Sequence, residues 1–196
     1  MKKIKNLKLL SQWPRPWNVL DYYKHIMTAL KAFGEQELRA AQRGEGPFFG
    51  CTPDEVDAKL SALRDELEQE VTLLLAASFE AVFRVDLALR AKGRARDSHS
   101  KGLRQRFADR EFHEVRFEEI LDGWKTLVGS AHVLGAFKQV VILRHWLAHG
   151  RYWPQKSGLN GIDPYEVWRR GDAALAAVPI LPNVDYGPPD GSRGAT

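Results

Sequence analysis

The sequence predicts an all-α protein: a bundle of about five or six helices, one of them long. Three observations carry this. Apolar residues recur at steps of three and four over most of the chain. No segment alternates apolar and polar residues with β-branched enrichment between turn signals, so a sheet has no candidate strands. Proline and capping residues stand where helices should begin, and glycine where they should end.

The first helix is expected from about Trp17 to Arg43, behind Pro16, with Leu20, Tyr23, Ile26, Met27, Leu30 and Phe33 on its apolar face. Gly34 weakens it, and the run Gly44-Glu45-Gly46-Pro47 ends it. Thr52 is a good N-cap, with Pro53 at the first helical position and Glu55 placed to complete a capping box. From there a helical pattern continues to about Lys92. Val56, Leu60, Leu63, Leu67, Val71, Leu74 and Ser78 form a narrow seam against a partner helix. Beyond Leu73 the stripe widens through Leu75, Phe79, Val82 and Phe83, as it would on entering a core. Some forty residues of helix span roughly 60 Å, so a kink or a protruding end is expected.

Residues 93–102 read as a polar, basic loop. Helices are then expected at about Leu103–Asp109, Phe112–Leu127 and Ala131–His149, the last stopping at Gly150. Val133, Phe137, Val140, Val141 and Ala148 make that last helix's apolar face. The stretch from His113 to Phe117 reads as a solvated face. A short helix at about Pro164–Ala177 follows Asp163, which can cap it. Residues 1–178 thus read as one domain, with 1–52 adding a first helix and loop to the bundle. Residues 179–196 read as a Pro/Gly-rich tail whose last ten residues are expected to be disordered.

Composition excludes several classes. With 29 Lys plus Arg against 25 Asp plus Glu, the formal net charge is +4, which permits an anionic partner without requiring one. A single cysteine, Cys51, excludes an internal disulfide and Cys-rich zinc sites. The first residues are basic but lack the apolar run of a secretory signal. The most apolar stretch, Val71–Leu89, carries Glu80, Arg84 and Asp86 and is no ordinary membrane span. The expectation is a cytoplasmic protein without a membrane segment.

The segment that carries chemistry is Leu143-Arg144-His145-Trp146-Leu147-Ala148-His149-Gly150. Amphipathic patterning does not call for three cationic or titratable residues at the end of an apolar helix. His145 and His149 share a face, and His149 lies in the last turn, where the negative end of the helix dipole favours an imidazolium. Arginine offers a fixed fork of donors to phosphate oxygens, and histidine moves protons near neutral pH. Together these can serve metal-independent RNA cleavage, with one group acting on the 2′-hydroxyl and a cation stabilising the phosphorane. A capping and ion-pairing cluster at the helix end explains the same residues. His145-x3-His149 also has metal-ligand spacing, though no carboxylate or cysteine stands beside it in the pattern.

Arg144-x4-His149, with polar His145 directly after the arginine and Ala148-His149-Gly150 at the end, resembles the R-x4–6-H motif of the HEPN superfamily. Ser78-Phe79-Glu80-Ala81-Val82-Phe83-Arg84 on the long helix is similar to some members, among them the group associated with RNA-processing operons. The resemblance covers about Thr52 to Tyr152. It implies a four- or five-helix bundle and a metal-independent endoribonuclease of a toxin–antitoxin, phage-defence or RNA-processing system, with no cofactor. It implies a homodimer in which two motifs form one composite site, and an antitoxin protein as a further partner. It makes Arg144 and His149 catalytic and His145 their support. A degenerate, non-catalytic member that binds RNA or regulates is the alternative. In some members a tyrosine in R-x4–6-H-x-Y is modified; here Tyr152 stands one place too late.

Around this motif the sequence offers further candidates. Arg151, Lys101 and Arg104 could track an RNA backbone, Lys101 and Arg104 as part of the basic run from Lys92 to Arg106, which also reads as a plain surface loop. Glu80 and Arg84, four apart, read as a partly buried ion pair, or as support for the Arg–His cluster. Trp146, Tyr152 and Trp153 fit a core or dimer interface better than base stacking.

Overall fold

Prolines and caps set most helix starts where the sequence places them. The computed structural model describes residues 13–92, 96–151, 154, 159 and 161–186, and among these six α-helices follow one another. They are α1 Pro16–Gln42, α2 Pro53–Lys92, α3 Ser98–Arg106, α4 Phe117–Val128, α5 Ala131–Ala148 and α6 Pro164–Ala176. The fold is an all-α bundle, with no strand among the described residues. No described helix is long and apolar enough to cross a membrane.

The long helix α2 is the axis on which the others pack; α1, α3, α4, α5 and α6 all touch it. Its start is the expected capping box: the Thr52 N–H donates to Glu55 Oε2 at 2.7 Å, and the Glu55 N–H donates to Thr52 Oγ1 at 3.3 Å. From Thr52 to Glu66 only Val56 and Leu60 are shielded from solvent. The expected seam holds in part. Val56 and Val71 are buried, but Leu63 is 52% exposed and Leu74 40%. A straight helix drifts about 20° per heptad against a 3.5-residue repeat, so these two leucines turn off the contact. The wider stripe is core as expected, with Leu75, Phe79, Val82 and Phe83 buried. Phe79 and Phe83 meet Phe137 of α5 at 5.7 and 6.1 Å, and Phe83 meets Phe117 of α4 at 5.7 Å.

Two glycines let helices approach closely. Gly34 of α1 is buried where a Cβ would lie 2.7 Å from Leu60 Cδ1, so it sets the α1–α2 crossing rather than merely weakening α1. Gly171 of α6 lies where a Cβ would come within 2.4 Å of the Phe79 ring.

The structure corrects several expectations. Residues 98–102 belong to helix α3, not to a loop: Asp97 caps it by accepting the Ser100 N–H at 2.9 Å. That helix stops at Arg106, short of Asp109, whose φ is 65°. Phe112–Glu114 is a 3₁₀ turn, and α4 begins only at Phe117. His113–Phe117 is not simply solvated, because Val115 and Phe117 are core residues. On α5, Ala148 is exposed and Val133 half-buried, whereas Leu134 and Leu143 are buried. The C-terminal segment up to Tyr186 packs on the bundle: Val184 is buried, and Ile180, Leu181 and Tyr186 lie against the core. The expectation of disorder concerns residues 187–196, which lie outside the described residues.

Helix α6 starts as expected, with Asp163 accepting the Glu166 N–H at 2.7 Å. Glu166 then holds Arg169 at 2.7 Å and Arg170 at 2.6 Å, and Arg170 also reaches the Ala136 carbonyl of α5. These guanidiniums, Arg169 first, bring the Glu166 carboxyl down to about 2.

Two outcomes follow. Gly171→Ala drives a methyl into a ring that Phe137 and Trp168 also confine, and overpacking of this kind costs about 1–3 kcal/mol, outweighing the roughly 1 kcal/mol gain in helix propensity. Gly135→Ala on α5 meets nothing within 4 Å and gains that propensity freely, so urea midpoints should move in opposite directions. The depressed Glu166 pKa means that its ion pairs stabilise the fold above the unfolded carboxyl's pKa and lose their effect as pH falls toward 2. Against Glu166→Gln, the wild type should hold an advantage of about 1–2 kcal/mol at neutral pH, discounted for solvent screening, that vanishes in strong acid.

Candidate functional site

Three helices meet at the C-terminal end of α5. The chain turns there: His149 caps the helix through its N–H to the His145 carbonyl, 3.2 Å, and Gly150 takes φ 80°, which glycine adopts without strain. The last two turns of α5 therefore present their side chains in fixed directions.

Arg144 turns toward α2. Its Nη1 lies 3.1 Å from Oε2 of Glu80, a carboxylate with only 11% of its side chain exposed. The other oxygen of Glu80 takes Arg84 Nε at 2.6 Å, and Arg84 Nη1 donates to the Val115 carbonyl at 3.0 Å. Both sequence readings of Glu80 thus meet in one place: it pairs with Arg84 and it holds Arg144. The Arg144 contact is one of charge rather than a directed hydrogen bond. Glu80 Oε2 and Arg144 Nε are buried with no hydrogen-bond partner among the described residues.

His145 and His149 lie together on the outer face, their rings 6.5 Å apart and nearly parallel at 14°. His145 Nε2 is 3.1 Å from Glu118 Oε1 at the start of α4, with about half the ring exposed. A carboxylate at that distance orients an imidazole. Glu118 was not among the sequence candidates; it lies 27 residues before His145, a separation with no local pattern to reveal it.

The remaining candidates scatter. Arg151, at φ 59°, is clasped by Glu66 through two contacts of 3.0 and 2.9 Å and also donates to Gln69, so it ties the α5 end to α2. The Glu66 hydrogen bond holds its guanidinium pKa above the usual value. Arg104 donates to the Arg90 carbonyl at 2.8 Å, capping the C-terminal end of α2. Arg90 is ten residues, about 15 Å of helix, beyond Glu80. Lys101 is exposed on the same α3. The structure therefore separates the two basic clusters. Trp146 is half-buried, while Tyr152 and Trp153 lie outside the described residues. Among the described residues no group of three or more His, Cys, Asp or Glu is placed to hold a metal ion.

Compared with family models, curated proteins and solved structures, the chain matches none.

The roles of the two carboxylates can be separated by stability. Glu80→Gln leaves Arg84 and Arg144 without a counter-charge in a largely buried place, and should cost about 2–4 kcal/mol in urea unfolding. Glu118→Gln breaks a half-exposed contact and should cost less than about 1 kcal/mol.

Proposed function

We propose that this chain is a metal-independent endoribonuclease of HEPN type, working in the cytoplasm in a toxin–antitoxin, phage-defence or RNA-processing setting. The observation that carries this reading is the end of α5. Arg144 is held by Glu80, and the ring pair His145–His149 stands exposed, oriented by Glu118 and lying at the negative end of the helix.

In this reading the 2′-hydroxyl oxygen attacks the neighbouring phosphorus and the bond to the 5′-oxygen breaks. The products are a 2′,3′-cyclic phosphate and a 5′-hydroxyl. His149 takes or orients the 2′-hydroxyl proton, the departing 5′-oxygen takes its proton from water, Arg144 stabilises the charge on the phosphorane, and His145 fixes the position of His149. One chain supplies one motif, so a homodimer completes the site. The carboxylates that touch the motif, Glu80 and Glu118, are each matched to a cation or an imidazole.

A non-catalytic RNA-binding or regulatory module is the second reading. The observation in its favour is that Arg144 already has a carboxylate partner.

Incubation with structured RNA in EDTA decides between them. Cleavage should proceed, leave cyclic-phosphate ends, and fall about 10²- to 10³-fold in His149→Ala and Arg144→Ala. Glu118→Gln should reduce it by a smaller factor. Intact RNA with retained RNA binding would establish the module instead, and a monomer by light scattering at micromolar concentration would remove the composite site.

A further inference from the structure

The other side of the same helix end carries opposite chemistry. Between the first half of α2, the last two turns of α5, Leu159 and the segment Gly161 to Asp163 lies a cavity of about 340 Å³. That is within the range of small-ligand sites. Three carboxylates, Asp65, Glu68 and Asp163, stand on its wall, and among the described residues no lysine, arginine or histidine lines it. The rest is largely apolar, with Leu143, Trp146 and Ile162 among its residues.

These carboxylates are not neutralised from within. Asp65 has no ion pair among the described residues. Among the described residues Glu68 receives only the neutral Tyr23 hydroxyl, at 3.1 Å. That hydroxyl's pKa is raised, by burial first and then by Glu68, so it keeps its proton. Asp163 gives one oxygen to the Glu166 N–H as a helix cap. Arg151, which donates to Gln69 of the cavity wall, is already clasped by Glu66. The cavity wall also holds Thr72, which is 3% exposed and whose hydroxyl has no hydrogen-bond partner among the described residues. Three like charges around one hollow repel one another, and an unpaired hydroxyl next to them is a donor or acceptor left for something else.

We propose that this cavity binds an organic cation, an ammonium or guanidinium head on an apolar stem. The head sits among Asp65, Glu68 and Asp163, with Thr72 at hand as a further polar contact. The stem lies along Leu143 and Trp146, whose indole face also favours a cation. The head can belong to a free small amine or to a basic side chain of a partner protein; the recognition chemistry is the same. The proposal is independent of the ribonuclease reading, because Arg144, His145 and His149 are not among the residues that line the cavity.

The test is calorimetric titration of the full chain with n-butylguanidinium and, as a neutral analogue of the same shape, n-butylurea. The cation should bind saturably below about 10 mM and at least tenfold more tightly than the urea. Asp65→Asn, at an exposed position that spares the fold, and Glu68→Gln should each weaken it about fivefold or more. Thr72→Val tests the hydroxyl, and unchanged melting temperatures show that each variant is folded. A short Gly/Ser peptide with one central arginine separates the sources. Tighter binding than butylguanidinium identifies a partner's side chain, and equal or weaker binding identifies a free amine. Equal binding of the urea, no saturation, or indifference to both carboxylate substitutions would overturn the proposal.

Discussion

The bundle depends on one buried ion pair near the end of α2. Asp86 and Arg90 have 0% and 2% of their side chains exposed, and Arg90 Nε meets Asp86 Oδ2 at 2.8 Å. Taking both charges out of water costs several kcal/mol each, so the pair persists only because its remaining valences are used. Arg90 donates to Ser100 Oγ at 2.9 Å, to Asp97 Oδ1 at 3.3 Å and to the Pro179 carbonyl, and its guanidinium lies 4.9 Å from the centre of the Trp124 ring. Asp86 accepts the Leu181 N–H at 2.9 Å. Burial pushes the Asp86 carboxyl up, with Arg90 and the Leu181 N–H opposing it. One arginine thus ties α2 to the cap of α3, to the core of α4 and to the chain beyond α6. Among the described residues, removing Arg90 leaves the buried Asp86 carboxylate with only the Leu181 N–H, and removing Asp86 leaves Arg90 with the partly exposed Asp97 as its one counter-charge.

That constraint reaches the C-terminal end of α5 through register. Glu80 lies six residues before Asp86 on the same helix and binds Arg84 and Arg144. Apolar stripes alone tolerate sliding, because one leucine replaces another at small cost. Two charged anchors on one helix do not. A one-turn slip of α5 would separate Arg144 from Glu80 and, on the far side, His145 from Glu118. Lys138 and Asp122, 2.8 Å apart, add a third tie between α4 and α5. The helix end that bears the histidines is therefore positioned by paired charges on both its neighbours.

How much of this was legible in the sequence depends on the range of the signal. Thr52–Glu55, Asp163–Glu166 and Gly150 act within four residues, and the helix ends they predict are observed. The widened stripe from Leu75 to Phe83 was legible for the same reason, since periodicity is local. Failures came where a basic, polar composition masked a local cap, or where the decisive partner is distant. Ser98–Gly102 looks like a loop by composition, but Asp97 caps it and Gly102 packs against Leu127. The chain after Pro179 looks like a tail, yet its backbone completes the shell of Asp86 and Arg90, some 90 residues earlier. At the site, Arg144 with Glu80 was an open alternative, whereas Glu118 and the cavity carboxylates come from segments that no spacing connects.

The net charge of +4 conceals a division that the structure makes concrete. Around the last two turns of α5, His145 and His149 lie on the outer face with Arg144 turned beside them toward Glu80, and another side looks onto Asp65, Glu68 and Asp163. An anion approaching this helix end is drawn to the first side and repelled from the second, and a cation meets the reverse. Glu80 also offsets much of the arginine charge, since it stands between Arg84 and Arg144. The two arginines that flank Glu80 therefore add less net positive charge to this end of the bundle than their number implies, because one buried carboxylate is shared between them.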